Sequence, residues 1–257
     1  MSRLALWTTY YRPNSDERES EFIRCLQINS DNPNIHVFYV LCENAPCPVR
    51  SDKIVEIPLY ERPSFNTFFN LYMTHEPTSV NILINTDIVL DYRRTPYFNV
   101  ITDKTVFMVT RYEVLNPGDI HSMKDIESAR VDLWPGENPH TGSQYYSSYD
   151  LWAIRGVPVA LIFPEKLGVP KCDGRVAYNY RSLGYTLYNP CLTIFIYHLH
   201  SSSDRPNVGI CEGKTVELRP TNIGAIHNSE IKQDSIVIPK TTLKPIGFGR
   251  FSLSKPN

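Results

Sequence analysis

The sequence predicts an α/β fold in which helices flank a mostly parallel central sheet. Over residues 1–114, segments rich in β-branched and aromatic residues alternate with segments of helical spacing, in the order β-α-β-β-α-β. The predicted strands are nearly continuous apolar runs, which is typical of parallel strands buried on both faces. A chain of 257 residues is also long enough to bury a core of this kind.

The regular elements can be placed along the chain. Strands are predicted at residues 4–9, 34–43, 53–59, 79–90 and 104–114. Helices are predicted at residues 20–30, 64–76 and 173–184. Ser64 is the candidate N-cap of the second helix, and Gly184 is the candidate C-terminal glycine of the third.

The remaining segments are less regular. Residues 115–149 are polar and show no sustained periodicity, so they are predicted to form a long functional or mobile loop. Short strands, with a turn or a helix as the alternative, are predicted at residues 150–156, 159–164 and 185–200. The polar, strand-like residues 203–257 are expected to be a C-terminal extension that packs on a domain formed by residues 1–202.

Composition and charge exclude several classes of protein. The formal net charge of −1 leaves no broad basic surface, so nucleic-acid binding is not predicted. The six cysteines form no CxxC pair and are predicted to be free thiols in a reducing compartment. No segment of the sequence approaches a membrane span. A cytoplasmic protein is therefore expected, although a Golgi-type enzyme without its anchor would show the same features.

Asp87 lies directly behind an aliphatic run, in the segment "ILINTDIVLD". In an open α/β sheet, ligands bind outside the carboxyl ends of the strands, and Asp87 is predicted to face solvent at such an end. A carboxylate there can hold Mg²⁺ or Mn²⁺, which in turn neutralises a diphosphate. Taken alone, an aspartate after a strand is more often a turn or capping residue, and Asp91 is predicted to have that role.

Two further groups of residues are candidates for chemistry. His198 and His200 alternate in "YHLH", so on an extended segment both point to the same side, and an imidazole beside a carboxylate suits Mn²⁺. The alternative is a pair of surface or half-buried histidines. Asp173 opens a predicted helix whose dipole would keep it ionised, either as an ordinary cap or as a base over a cleft. Asp150 has the same two alternatives.

Several familiar motifs are absent from the sequence. No GxGxxG follows the first predicted strand, and "GICEGKT" at residues 209–215 is one residue too short for a phosphate-binding loop. Neither a HExxH metal motif nor a G-x-S-x-G nucleophile motif occurs. The sequence therefore does not indicate a dehydrogenase, a P-loop enzyme, a zinc protease of the HExxH type or an α/β-hydrolase.

Taken in order, the motifs resemble a GT-A-type glycosyltransferase that uses a nucleotide-sugar donor. The similar segments include "RESEFIRCLQIN", "RPSFNTFF", "INTDIVLD", "VFMVTRYEV", "SSYDLWAIRG" and the closing "YHLH". They span residues 1 to about 202, which the resemblance makes a GT-A-like domain with a Rossmann-like nucleotide-binding half. Small enzymes of this kind occur in bacteria and in large DNA viruses, and a viral member would work in the host cytoplasm.

The resemblance implies a metal site. Asp87 matches the second acid of the DxD motif, which binds the metal that bridges the donor diphosphate. Asn85 stands where the first acid is expected, so the motif is N-T-D, and its amide oxygen can still bind ribose or water. His200, with His198 as second choice, matches the C-terminal metal ligand. Mn²⁺ or Mg²⁺ is the implied cofactor.

The resemblance also implies donor and acceptor contacts. Thr8, Tyr10 and Arg62 match positions that meet the nucleoside, with Tyr10 as a stacking ring. Arg111 would reach the donor sugar or diphosphate. Asp173 is the first choice and Asp150 the second choice for a general base, which is needed only if the reaction inverts the anomeric centre.

The implied function is metal-dependent transfer of a hexosyl or pentosyl group from a nucleotide-diphosphate sugar, expected to be a UDP-sugar, to a hydroxyl of a glycan. The first alternative is a non-catalytic nucleotide-sugar or glycan-binding module on the same fold, supported by the missing acid at Asn85. The second is a nucleotidyltransferase that makes activated sugars. It is disfavoured because "TTYYRPNSDE", after the first strand, contains no glycine.

Overall fold

The computed structural model describes residues 3–133, 136–137, 144–145, 148–201, 211–216, 218, 220–223, 244–246 and 250–252, and only the backbone at 136–137, 144–145, 244–246 and 250–252. The α-helices are α1 Asp16–Ser30, α2 Phe65–His75, α3 Met123–Ser128 and α4 Cys172–Ser182, and 3₁₀ helices span Tyr92–Val100 and Pro117–Asp119. The strands are β1 Leu4–Tyr11, β2 Val37–Glu43, β3 Ile54–Leu59, β4 Val80–Ile84, β5 Ile88–Leu90, β6 Thr105–Val109, β7 Tyr112–Val114, β8 Val131–Leu133, β9 Gly136–Glu137, β10 Gln144–Tyr145, β11 Leu151–Arg155, β12 Thr186–Tyr188, β13 Ile196–His198, β14 Lys244–Ile246 and β15 Arg250–Ser252.

The central sheet has the strand order β12-β6-β11-β4-β1-β2-β3. β11 runs antiparallel to both of its neighbours, and every other neighbouring pair in this sheet is parallel. The predicted α/β fold with a mostly parallel central sheet is therefore confirmed. Because β1 and β4 are parallel neighbours, their carboxyl ends meet at one edge of the sheet.

A second sheet, in the order β14-β15-β8-β7-β13-β5, lies beyond that edge. The single strand predicted at 79–90 is divided into β4 and β5, and the one predicted at 104–114 into β6 and β7. At the first break, the backbone N–H of Asn85 donates to the carbonyl of Asp150 at 3.1 Å. The backbone N–H of Ile88 donates to the carbonyl of Asn85 at 3.2 Å. The chain thus leaves the central sheet at the residues predicted to form the site.

Helices cover both faces of the central sheet, as the sequence predicts. Alternate residues of β1 enter two separate cores, with Leu4 and Leu6 in one and Ala5 and Trp7 in the other. The first core contains residues of α1, and the second contains residues of α2 and α4. In the second core the ring of Trp7 stacks on Tyr39, with centroids 3.9 Å apart. Both faces are therefore closed by apolar packing, which leaves the strand ends as the place for a ligand.

Other predictions have mixed outcomes. All six cysteines are free, as expected, and Gly184 follows α4 with φ +79. The polar stretch 115–149 is more regular than predicted, since it contributes α3, β8 and two short strands, whereas residues 159–164 form no strand. Residues 224–243 of the predicted strand-like extension lie outside the described residues. No helix in the described ranges has the length and apolarity to cross a membrane.

Part of the predicted C-terminal extension contacts the preceding domain. The backbone N–H of Val216 donates to the carbonyl of Gly174 at 3.0 Å, and that of Leu218 donates to the hydroxyl of Tyr149 at 2.6 Å. Both residues are buried. The boundary between the domain and the extension remains a prediction.

We expect Ser64→Ala to lower the free energy of unfolding by about 1 kcal/mol. Ser64 Oγ accepts from the backbone N–H of Thr67 at 3.3 Å, and Thr67 Oγ1 accepts in return from the N–H of Ser64 at 3.3 Å, so the pair forms a capping box. Urea denaturation measures the loss. Thr74→Ala, near the other end of α2, is the matched control and should change stability by about 0.5 kcal/mol or less. Equal losses of unfolding free energy in the two variants would show that the cap at Ser64 does not stabilise α2.

Candidate metal and active site

Most of the predicted site residues line one cavity of about 500 Å³. The cavity lies at the carboxyl ends of β1 and β4, where ligands bind in open α/β sheets. The predicted residues that line it are Arg62, Asn85, Asp87, Arg111, Asp150, Asp173, His198 and His200. Residues from six separate segments of the chain are thus brought to one place.

Thr8 and Tyr10 lie in the core instead. Thr8 is 1% exposed, and its hydroxyl donates to a backbone carbonyl of β4 at 2.9 Å. Tyr10 is 2% exposed, and its hydroxyl donates to a carboxylate of α1 at 2.9 Å. Because side chains alternate along a strand, their neighbours Thr9 and Tyr11 face the cavity. The prediction is therefore corrected by one residue, and the candidate stacking ring is Tyr11.

Asp87, His198 and His200 form a group that fits a metal ion. One ligand atom from each lies within 4.8 Å of the other two. Nε2 of His198 is 3.1 Å from Oδ2 of Asp87, and the two imidazole rings stack with centroids 5.0 Å apart. One carboxylate and two imidazoles suit Mn²⁺ better than Mg²⁺, which prefers an all-oxygen shell.

The second sheet brings this group together. β13 pairs antiparallel with β5, and the register places His198 opposite Ile88, the residue after Asp87. The backbone N–H of Leu199 also donates to the carbonyl of Asp87 at 3.0 Å. Strand pairing, rather than a flexible loop, therefore fixes the relative positions of two residues that are 111 positions apart.

A carboxylate lies behind the ring of His198, and a second carboxylate lies beside His200. Nδ1 of His198 is 2.8 Å from Oε2 of Glu113, which β7 places opposite His198 in the parallel pairing with β13. Nδ1 of His200 is 3.4 Å from Oε2 of Glu21. The carboxylate on Nδ1 of His198 fixes the tautomer that presents Nε2 to a metal. Neither glutamate was predicted from the sequence.

We expect Glu113→Gln to weaken Mn²⁺ binding by about 10–100-fold, the usual effect of losing a carboxylate behind a metal-binding histidine. Glutamine keeps the shape of the side chain but removes the charge that orients His198. A titration of the purified protein with Mn²⁺ measures the change. Glu127→Gln is the matched control, since Glu127 pairs with Arg93 at 2.9 Å on the surface and does not line the cavity. Equal affinities in the two variants would exclude Glu113 as a positioning residue.

Arg18 places a guanidinium within the group. Nη2 donates to Oδ2 of Asp87 at 2.7 Å, and Nη1 donates to Oε2 of Glu21 at 2.7 Å. Nη1 also contacts Nδ1 of His200. The side chain of Arg18 is 12% exposed, and its guanidinium lies over the ring of Phe22 at 4.6 Å. A fixed positive charge therefore lies among the candidate metal ligands.

The charges of the group stabilise one another. Burial raises the pKa of Asp87, but His198 and Arg18 outweigh it, and the pKa lies well below its ordinary value. Burial lowers the pKa of His198, but Asp87 and Glu113 raise it to about 9. For Glu113, His198 and Arg111 outweigh burial and lower the pKa to about 2. Near neutral pH His198 is protonated, so a metal that binds through this ring must displace a proton.

Asp150 is held by two partners. Oδ1 accepts from Nδ2 of Asn85 at 2.8 Å, and Oδ2 accepts from Nη1 of Arg111 at 2.9 Å. Nε of Arg111 donates to Oε1 of Glu113 at 2.6 Å, so Arg111 links Asp150 to the metal-ligand group. Burial lowers the pKa of Arg111, but the two carboxylates outweigh it and raise the pKa. Because both oxygens of Asp150 are engaged, it is a poorer proton acceptor than Asp173.

Asp173 is the better candidate for a base. It lies in the first turn of α4, and Sγ of Cys172 is 3.2 Å from its Oδ1. Burial, followed by the charge of Asp150, raises the pKa of Asp173 to about 8. The sequence predicts that the helix dipole keeps this residue ionised, and the structure differs because desolvation outweighs the helix N-terminus. A carboxyl group with a pKa near neutrality suits proton transfer.

The other end of the cavity has aromatic and charged walls. The guanidinium of Arg62 lies 5.1 Å from the ring centroid of Tyr11, and Nε of Arg62 is 3.6 Å from Oε2 of Glu43. Burial raises the pKa of Glu43, and Arg62 opposes that shift. A half-buried ring beside a cation and a carboxylate can stack on a flat heterocycle and bind its polar edge.

Together the fold and the site define an α/β protein with a candidate metal centre and a candidate carboxylate base at the end of its parallel strands. No protein-family model matches the sequence. No curated protein sequence matches it either.

Many solved structures match part of the fold, and two of them are a mannosyltransferase and HddC. The mannosyltransferase PcManGT from Pyrobaculum calidifontis, solved in complex with GDP-Man and Mn²⁺, shares 10% sequence identity at a TM-score of 0.42, over 74% of this chain and 55% of that one. HddC from Yersinia pseudotuberculosis shares 12% identity at a TM-score of 0.34, over 60% of this chain and 77% of that one. This chain therefore spans about half the length of the mannosyltransferase. At these TM-scores neither likeness assigns a family or an activity to the chain.

Proposed function

We propose that this protein is a metal-dependent glycosyltransferase that moves a sugar from a nucleotide-diphosphate sugar to a hydroxyl of a glycan. The observation that carries the proposal is the group of Asp87, His198 and His200, which shares one cavity with Arg111 and Asp173. A metal site, a cation and a carboxyl group of raised pKa in one cavity are the parts that such a transfer needs.

Mn²⁺ fits the residues present. Asp87, His198 and His200 would hold it, and Glu113 behind the ring of His198 supports that assignment. A bound Mn²⁺ would neutralise the negative charge that develops on the diphosphate leaving group. Two imidazoles favour Mn²⁺ over Mg²⁺, although both ions bind carboxylate and phosphate oxygens.

The remaining residues would bind and orient the substrates. Arg111, whose guanidinium is already fixed by two carboxylates, would bind the donor sugar or diphosphate. Tyr11 and Arg62 would contact the nucleoside, with a UDP-sugar as the expected donor. Asp173 would accept the proton of the acceptor hydroxyl. Such a base is needed only for inversion, so the anomeric configuration of the product tests its role.

A non-catalytic module that binds a nucleotide sugar or a glycan is the second candidate. One observation favours it: Asn85 stands where the resemblance places an acid, and its amide donates to Asp150 at 2.8 Å. The site therefore has one charge fewer than a complete DxD motif would give it.

Thermal unfolding with UDP and with GDP, each with and without Mn²⁺, tests the proposal. A ligand at 100 times its Kd adds about 2.7 kcal/mol to the stability of the folded state, so a specific complex raises the Tm measurably. We expect UDP to raise the Tm only when Mn²⁺ is present, and UDP-sugars to be hydrolysed slowly under the same conditions. Stabilisation without hydrolysis or transfer for any donor would favour the binding module. No stabilisation by any nucleotide with Mn²⁺ would contradict both the transferase and a nucleotide-sugar-binding module, and would leave only glycan binding.

A further inference from the structure

Arg18 occupies the position where a bound cation would meet its ligands. Its Nη2 donates at 2.7 Å to Oδ2 of Asp87, the same oxygen that lies 3.1 Å from Nε2 of His198. Its Nη1 contacts Nδ1 of His200. One guanidinium thus contacts two of the three candidate ligands directly and shares the carboxylate oxygen of Asp87 with the third.

The local sequence and packing hold Arg18 in this position. Ser15 caps α1 by accepting from the backbone N–H of Arg18 at 3.1 Å. Arg18 and Phe22 are four residues apart on one face of the helix, and the ring of Phe22 lies beneath the guanidinium at 4.6 Å. Glu21, which is fully buried, accepts from the other side at 2.7 Å. The charge is therefore placed by the fold of α1.

A guanidinium and a divalent cation cannot both use this position. Like charges at contact distance repel strongly, particularly where little water reaches them. Oδ2 of Asp87 would also have to accept from Nη2 and bind the metal at the same time. Metal binding therefore requires the guanidinium to move. The side chain lines the 500 Å³ cavity, which gives it room to move without unfolding α1.

We propose that Arg18 is an internal cation that holds Asp87 and His200 in the absence of metal, and that Mn²⁺ must displace it to bind. The inference rests on the proposed function, because it assumes that Asp87, His198 and His200 bind Mn²⁺. Its consequence is that the protein alone binds Mn²⁺ more weakly than its three ligands would permit. The other explanation of Arg18 is an ordinary ion pair that attaches α1 to the sheet.

Titration with Mn²⁺ alone, followed by the electron paramagnetic resonance signal of the free ion, tests the inference. We expect Arg18→Gln to bind Mn²⁺ at least about tenfold more tightly than the wild type, because no cation has to be displaced. Arg24→Gln is the matched control. It removes the same charge from the same helix, but Arg24 donates to the carbonyl of Gly118 at 3.1 Å and does not line the cavity. Its Mn²⁺ affinity should stay within about twofold of the wild type.

Each result of the Mn²⁺ titration either supports or contradicts the inference about Arg18. Equal or weaker Mn²⁺ binding by Arg18→Gln than by Arg24→Gln would overturn the inference, because a merely structural ion pair affects Tm and not metal affinity in this direction. The metal site and the proposed function would survive that result. Absence of Mn²⁺ binding in the wild type and both variants would instead remove the metal site, and with it the proposed function.

Arg18→Lys keeps the test valid if Arg18→Gln does not fold. Lysine keeps the charge but cannot contact Asp87, Glu21 and His200 together, because it lacks the planar fork. We expect it to bind Mn²⁺ about threefold more tightly than the wild type, as the weaker internal competitor. An affinity equal to or below that of the wild type would overturn the inference in this variant also.

Discussion

Asp87→Asn is expected to abolish Mn²⁺ binding at the cavity and to lower the rate of transfer by at least about 10³-fold. Asp87 is the only carboxylate in the group of Asp87, His198 and His200. A neutral amide binds Mn²⁺ far more weakly than a carboxylate, so the leaving diphosphate would lose its counter-charge. Mn²⁺ titration and a donor-hydrolysis assay measure the two effects separately.

Asp87→Asn should also change the stability of the fold. The sequence predicts a solvent-facing Asp87 that contributes little to packing, whereas its side chain is 12% exposed and pairs with Arg18 and His198. The depressed pKa of Asp87 means that its contribution to stability is present above about pH 4 and is lost as the pH falls through the native value. His198 has a raised pKa, so its contribution is complete below its ordinary value and is lost as the pH rises through about 9.

A matched control separates stability from metal binding. Asp91 is also buried and also pairs with an arginine, Arg93 at 2.7 Å, but it caps a 3₁₀ helix and does not line the cavity. At about pH 6, where both ionic contributions of the site are present, Asp91→Asn should lower the Tm and leave Mn²⁺ affinity unchanged. Wild-type Mn²⁺ affinity in Asp87→Asn would exclude Asp87 as the metal ligand.

The position of Asp87 at a strand end agrees with the sequence pattern for a physical reason. An acid directly behind an aliphatic run is exposed to a ligand only if the strand ends there, and β4 does end at Ile84. The structure also shows the predicted role of Asp91, which caps the following 3₁₀ helix. In β1 the positions that the resemblance implies for the nucleoside, Thr8 and Tyr10, lie one residue away from those that face the cavity. The doublets of threonine at 8–9 and of tyrosine at 10–11 place like residues on both faces, so the sequence pattern there does not reveal which face is buried.

Arg18, Glu21 and Glu113 were missed for a different reason. The predicted first helix begins at Ser20, whereas α1 begins at Asp16 after the cap at Ser15, so the prediction leaves Arg18 outside the helix. A helix extended by one turn shows the missing signal, because Arg18 precedes Phe22 by four residues on the buried face. Glu113 gives no comparable signal. Its role depends on the pairing of β7 with β13, a contact between distant parts of the chain.

The second large effect expected concerns Asp173. If Asp173 is the general base, kcat/KM at saturating Mn²⁺ should rise about tenfold per pH unit below about pH 8 and level off above it, because only the ionised carboxylate accepts the proton. Asp173→Asn should lower turnover by about 10²–10⁴-fold and spare the affinity for the donor diphosphate. Loss of donor affinity with little loss of turnover would reassign Asp173 to sugar binding.

As the pH rises, the stability of the wild type should fall while its activity rises. A raised carboxyl pKa means that the native state keeps its proton while the unfolded chain loses it, so the wild type loses stability as the pH rises from about 4 to about 8. Asp173→Asn removes that loss. We expect the variant to match the wild type near pH 4 and to exceed it by about 1–3 kcal/mol above pH 8, a range reduced for the partial exposure of the carboxyl group. Urea denaturation at the two pH values measures the difference.

Asp150→Asn distinguishes the two candidate bases. The charge of Asp150 is the second cause, after burial, of the raised pKa of Asp173. Asparagine can still accept from Arg111 but carries no charge, so the inflection in kcat/KM should move to lower pH while much of the activity at high pH remains. If Asp150 were the base, the same variant would instead lose turnover at every pH, and its remaining rate would show no inflection. The direction of the shift in the pH profile therefore assigns the base, because a neighbouring charge changes a pKa without accepting the proton itself.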